Sequence, residues 1–148
     1  MTQTLAPVMR TVLVRCSPER AFAVFTQEMT NWWPLQSHSV YPTEPSTVTF
    51  DNGKLIETLA DGRSDVWGEV LTWNPPSELS FTWHPGQPSG DRTQVTVRFT
   101  AEADGTRVDL EHVGWEVFAD QAQERRESYD SEGGWTQVLE LFAKDANA

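Results

Sequence analysis

Cysteine is almost absent from this chain: Cys16 is the single one in 148 residues, so no internal disulfide can form. Basic residues are scarce too, 11 Lys and Arg against 22 Asp and Glu, which leaves a net charge of -11. A surface of that sign repels phosphate backbones, so no nucleic-acid partner is expected, and anionic membrane surfaces are disfavoured for the same reason. No apolar run approaches the roughly 20 residues that span a bilayer. Residues 1–10 lack the basic and apolar regions of a secretion signal. The expectations are no membrane insertion and a cytoplasmic location. Phosphate-loop chemistry is missing as well, because Gly133-Gly134 has no accompanying lysine. His38, His84 and His112 lie in separate segments without ligand spacing, so neither a metal nor a cofactor is expected. Serine, histidine and aspartate are all present, but nothing marks a nucleophile elbow.

What is present points to one packed domain over residues 1–148, with its core at about 8–144. A chain of this length buries about 68–70% of its unfolded surface. Residues 8–16 alternate in the period-2 manner of a strand. Ser17-Pro18 then reads as an N-cap with proline in the first turn, and Ala21, Phe22, Val24 and Phe25 form a buried helical face. A second short helix is predicted over 27–33, stopped by Pro34. Residues 34–46 hold three prolines and no period, which predicts a long irregular loop of the kind often used as a lid. Strands follow at 47–50, 54–59, 64–73, 78–83, 92–101 and 106–113. They are separated by Asn52-Gly53, Asp61-Gly62, Asn74-Pro75-Pro76, a polar loop at 84–91, and Asp104-Gly105.

Helical spacing returns between about 118 and 143, where Trp135, Val138, Leu139 and Phe142 make one apolar stripe. Gly133-Gly134 interrupts it. Each glycine in a helix interior costs roughly 0.5–1 kcal/mol relative to alanine, so the pair suggests that something approaches the backbone closely there. The order is strand, two short helices, about six strands, then a long helix. An antiparallel sheet must cover one face, and that helix is the only large element left to do it. The concavity beside the helix is either packed with large side chains or left as a ligand cavity.

An ordered set of motifs carries a resemblance. It begins with Trp32-Trp33-Pro34 and His38-Ser39, and runs through Asp61-Gly62, Trp67-Gly68-Glu69-Val70, Trp73-Asn74-Pro75-Pro76 and Leu79-Ser80-Phe81-Thr82-Trp83. It closes with Thr93-Gln94-Val95-Thr96-Val97, Gly105-Thr106-Arg107-Val108, Glu111-His112-Val113-Gly114-Trp115 and Gly133-Gly134-Trp135. From about residue 10 to 143 the chain resembles homologues of the activator of heat-shock-protein-90 ATPase, in the START-like (SRPBCC) superfamily. The resemblance implies an α+β helix-grip fold: a curved antiparallel sheet of about six to seven strands around a long C-terminal helix. Members of the superfamily bind hydrophobic ligands, and some catalyse cyclisation or hydrolysis. The eukaryotic activators bind a chaperone through a two-part protein with an additional N-terminal domain. The function implied first is therefore binding of a small hydrophobic molecule. The alternatives are a cyclase- or hydrolase-type enzyme and a chaperone co-regulator.

Individual residues can be weighed on this frame. Glu57 lies in the row Leu55-Glu57-Leu59 and His112 in Val108-Leu110-His112; if those rows face inward, the pair is a candidate acid and base or a polar anchor. The competing reading is a hydrogen-bonded structural histidine and a Glu57 that points outward opposite Ile56. Strand 64–73 has two equally apolar registers: Trp67 and Glu69 inward, or Val66, Gly68 and Val70 inward. In the second, Trp67 and Trp73 would form an outer aromatic patch suited to a homodimer. Trp32 and Trp33 could close a cavity entrance beside His38. Trp83 reads mainly as core, while Trp115, Tyr129 and Trp135 are candidate ligand contacts because strand end and helix meet at the Gly-Gly break.

Overall fold

In the computed structural model, which describes residues 5–86, 90 and 92–147, seven strands form one antiparallel sheet. They are β1 (Val8–Val14), β2 (Ser46–Asp51), β3 (Lys54–Leu59), β4 (Ser64–Asn74), β5 (Glu78–Trp83), β6 (Thr93–Glu102) and β7 (Gly105–Val113). The order is β1-β7-β6-β5-β4-β3-β2: β2 to β7 are a meander, and β1 closes the other edge against β7. Two short helices, α1 (Pro18–Thr26) and α2 (Met29–Trp32), follow β1. The predicted loop at 84–91 lies partly outside the described residues, at 87–89 and 91.

Local chemistry accounts for the boundaries. The Ser17 side chain accepts from the Arg20 N–H at 3.2 Å and Pro18 occupies the first turn, so α1 starts as the cap predicts. Asn52 and Gly53, at φ 53° and 75°, make the turn between β2 and β3 that needs two left-handed residues. The register of β4 resolves differently from either expected row. Leu55 pairs with Gly68 and Ile56 with Val66, so Trp67 is an extra residue in a β-bulge. Trp67 therefore turns inward and is fully buried, while Glu69 is exposed. Gly68 lies so close to β5 that a Cβ would overlap the Thr82 carbonyl. Trp73 is paired with Leu79 on the concave face, and only half-exposed at its rim against Phe22 and Phe50. The outer Trp67–Trp73 patch that would have favoured a homodimer is not formed.

The C-terminal segment also departs from a single long helix. A 3-10 stretch (Trp115–Gln121) leads into α3 (Ala122–Asp130), a π-type turn (Glu132–Thr136) and then α4 (Gln137–Ala146). The break is at Gly134, whose φ of -91° and ψ of -128° are not helical. A Cβ at Gly134 would overlap the carbonyl of Tyr129, so the close approach implied by the glycines is made by the end of α3 itself. Arg10 of β1 straddles the break, donating to the Asp130 carbonyl at 2.7 Å and to Thr136 Oγ1 at 3.0 Å, and pairing with the Asp130 carboxylate at 2.7 Å. α4 packs on α1, α2 and β1 through Val138, Leu139 and Phe142, all buried. The fold is the helix-grip, α+β, with its core between sheet, α1 and α4. Among the described residues, no helix is long and apolar enough to cross a membrane.

Candidate functional site

Aromatic side chains fill most of the concave face. Phe142 packs edge to face on Phe25 and Trp32 at one end, and Trp33, Trp67, Trp83 and Trp135 continue the cluster with ring centroids 5.4–5.9 Å apart. The space beneath the terminal helix is therefore largely occupied by indoles. A cleft of about 560 Å³ remains at the end where α3 breaks, and it opens to solvent. One wall is the loop between α2 and β2 (Ser37 to Val40), and the opposite wall is Arg125, Ser128, Tyr129 and Gly133-Gly134. Trp33, Trp83, Trp135 and Val138 complete the apolar surface.

Behind this surface lies a chain of hydrogen bonds centred on His112, which is fully buried. The Trp135 indole N–H donates to its Nδ1 at 2.9 Å. An indole nitrogen only donates, so Nδ1 is unprotonated and the ring is the neutral Nε2–H tautomer. Nε2–H then faces Thr93 Oγ1 at 2.6 Å, and the Thr93 hydroxyl donates to the Trp83 carbonyl at 3.2 Å. Burial pulls the His112 pKa down from 6.5 to about 3, which agrees with a neutral ring. Trp115 is buried beneath, donating to the His112 carbonyl at 3.0 Å, with its ring 4.2 Å from the imidazole. Tyr129 accepts from the Trp83 indole N–H at 2.9 Å, and burial raises its pKa, partly offset by that bond and by the charge of Arg125.

Glu57 is also fully buried and inward-facing, the first of its two sequence readings, but it serves the loop. Its carboxylate accepts from the Val40 N–H (2.8 Å), the Tyr41 N–H (3.3 Å), Ser46 Oγ (2.8 Å) and the Trp67 indole (3.2 Å). Among the described residues, Glu57 and His112 share no hydrogen-bond partner, and neither lines the cleft. Trp32 lies in the core, its N–H donating to the Val24 carbonyl. Trp115 stays behind the wall, bordering a minor recess of about 20 Å³. The structure thus brings Trp33, Trp83, Tyr129 and Trp135 together at the cleft, and not Trp32, Glu57, His112 or Trp115.

His38 and Arg125 line the cleft without having been singled out as contacts. His38 joins the two walls: its Nε2 donates to the Gly133 carbonyl at 2.6 Å and its Nδ1 meets Ser37 Oγ at 2.6 Å, while its own carbonyl accepts from the Trp33 indole at 2.7 Å. The position of His38 in a proline-rich loop next to Trp32-Trp33 was the available signal. Among the described residues, no group of three or more His, Cys, Asp or Glu is placed to hold a metal.

Comparison with known proteins supplies the relatives. Residues 15–145 match the family described as Activator of Hsp90 ATPase homolog 1-like protein. No curated protein matches the sequence. Among solved structures, the chain resembles an anthrahydroquino-gamma-pyrone synthase, Txn09, at 29% identity and a TM-score of 0.63, with 97% of this chain and 99% of that one covered. MLL2253 from Mesorhizobium loti, at 20% identity and a TM-score of 0.65, covers 93% and 94% of the two chains. An AHSA1-like protein from Aeromonas hydrophila, at 19% and 0.62, covers 93% and 90%. These last two share the fold.

Proposed function

The chain belongs to the Activator of Hsp90 ATPase homologue 1-like family of the START-like superfamily, and we propose that it binds a small hydrophobic molecule in the cleft beside the Gly133-Gly134 break. The observation that carries this reading is the cleft surface: three indoles and Val138 face a space of about 560 Å³, a size ordinary for small-molecule sites. Apolar area removed from water contributes roughly 25 cal/mol per Å². Polar groups at the rim (Ser37, His38, Arg125, Tyr129) supply orientation rather than most of the affinity. Action in the cytoplasm belongs to the same proposal.

The test is native mass spectrometry of protein purified without detergent, together with tryptophan quenching by an anthracene probe. Replacing Ser128 on the cleft wall by tryptophan supplies the control. A hydrophobic molecule carried by the wild type and lost from S128W is the expected result. Retention in S128W, or neither a bound mass nor quenching in the wild type, overturns the proposal.

Catalysis of the cyclase or hydrolase type is the second reading, favoured by the likeness to a synthase over nearly the whole chain. Acid–base chemistry in this cleft would fall to His38 and Tyr129, which line it, rather than to Glu57 and His112. A changed mass of the bound molecule after incubation would support it. A chaperone partner is the third reading; it requires the purified protein to alter the ATPase rate of the cognate chaperone.

A further inference from the structure

The chain carries twice as many acidic as basic residues, yet no Asp or Glu is among the described residues lining the cleft, and Arg125 is the one permanently charged group there. Arginines nearby are engaged. Arg10 pairs with Asp130, and Arg126 donates to the Ala6 and Pro7 carbonyls and pairs with Asp130. Arg125 differs: it has no ion pair or hydrogen bond among the described residues, and its guanidinium rests over the Phe118 ring at 4.6 Å. Stacking on an aromatic face orients a guanidinium while leaving its N–H donors in the ring plane unused.

One turn along α3, on the same helix face, stands Tyr129. Its oxygen already accepts from the Trp83 indole, so its own O–H proton remains to be donated, and it has no acceptor among the described residues. Two donors without an acceptor among the described residues thus border one aromatic-walled space. A neutral hydrocarbon would leave both unmet. An oxyanion would satisfy both, and charge-assisted hydrogen bonds of this kind are about twice as strong as neutral ones. Trp33, Trp83 and Trp135 present ring faces and edges to whatever carries that oxyanion.

We propose that the cleft takes an aromatic anion, a fused-ring carboxylate or phenolate, with its oxyanion held between Arg125 and Tyr129. This rests on the binding function proposed above and names its ligand class.

The test compares an anthracene carboxylate with the corresponding anthracene methanol, which has the same ring system without the charge. Tryptophan quenching measures both affinities for the full chain at physiological ionic strength. Wild type should bind the carboxylate about tenfold more tightly than the alcohol. R125Q should reduce the carboxylate to the affinity of the alcohol, and Y129F should narrow the gap by a smaller factor. R98Q, at a remote exposed arginine paired with Glu78, should keep the full preference. Equal affinities in wild type, or a preference that survives R125Q, overturns the proposal while leaving the cleft as a site. Failure of both probes to bind overturns the cleft as a site, and this inference with it.

Discussion

Trp135 donates its indole N–H to Nδ1 of His112 at 2.9 Å, so a side chain of the cleft wall dictates the tautomer of a histidine buried behind it. Protonating His112 would put a hydrogen on Nδ1 and set two donors against each other. A pH dependence follows. The folded pKa is depressed to about 3 from 6.5, so the unfolded chain binds more protons between those values. The neutral His112 costs no stability above about pH 6.5, and stability is lost as pH falls from there toward about 3, by up to on the order of 5 kcal/mol. Denaturant titrations between pH 7 and 5 should show stability falling with acidification. In His112→Gln, less stable at pH 7, that slope should flatten. An unchanged slope would detach it from His112.

Glu57 predicts a loop effect rather than a catalytic one. Glu57→Gln keeps the shape but presents an amide to four donors, leaving at least one N–H unmatched. A loss of about 2–4 kcal/mol is expected. Limited proteolysis should show faster cleavage within residues 35–45. Full stability together with an intact loop would show that the clamp is unimportant.

The two glycines of the break should behave differently. Gly134→Ala forces a Cβ into the Tyr129 carbonyl and should cost about 2–3 kcal/mol or more. At Gly133 a Cβ would meet only Gln137 Oε1 at 3.9 Å, so Gly133→Ala should stay within about 1 kcal/mol of wild type. Thermal melts of the pair decide the matter; similar losses in both would refute the assignment of the break to Gly134.

His38 ties the loop to the break across the cleft mouth through the Gly133 carbonyl. His38→Ala should change stability by less than about 1 kcal/mol, because the side chain sits at the surface. Release of a bound anthracene probe should nevertheless quicken several-fold, measured by stopped-flow quenching. Unaltered release would remove His38 from the closure of the cleft.

Some of this site was legible from local pattern. The row Leu55-Glu57-Leu59 offered an inward Glu57 as one of two readings, and the Gly-Gly-Trp run marked where the helix opens. What Glu57 holds was not legible, because its donors come from a loop without periodicity. The bulge at Trp67 defeated both alternating registers, since one added residue changes which face each neighbour takes. His38 and Gly133 are 95 residues apart, and nothing local to either announces the bond between them.

Periodicity, turn residues and caps act over a few neighbours, so the sequence by itself determined the order of strands and short helices and the residues able to build an aromatic core, while its motif resemblance implied the helix-grip class. The tertiary structure alone decided which indoles plug the concave face and which line an opening. It also decided that His112 and Glu57 are spent on internal hydrogen bonds, and that Arg125 has no counterion among the described residues. These depend on distances between segments far apart in the chain, where hydrogen bonds form within about 3 Å and a single bulge or break redirects every side chain beyond it.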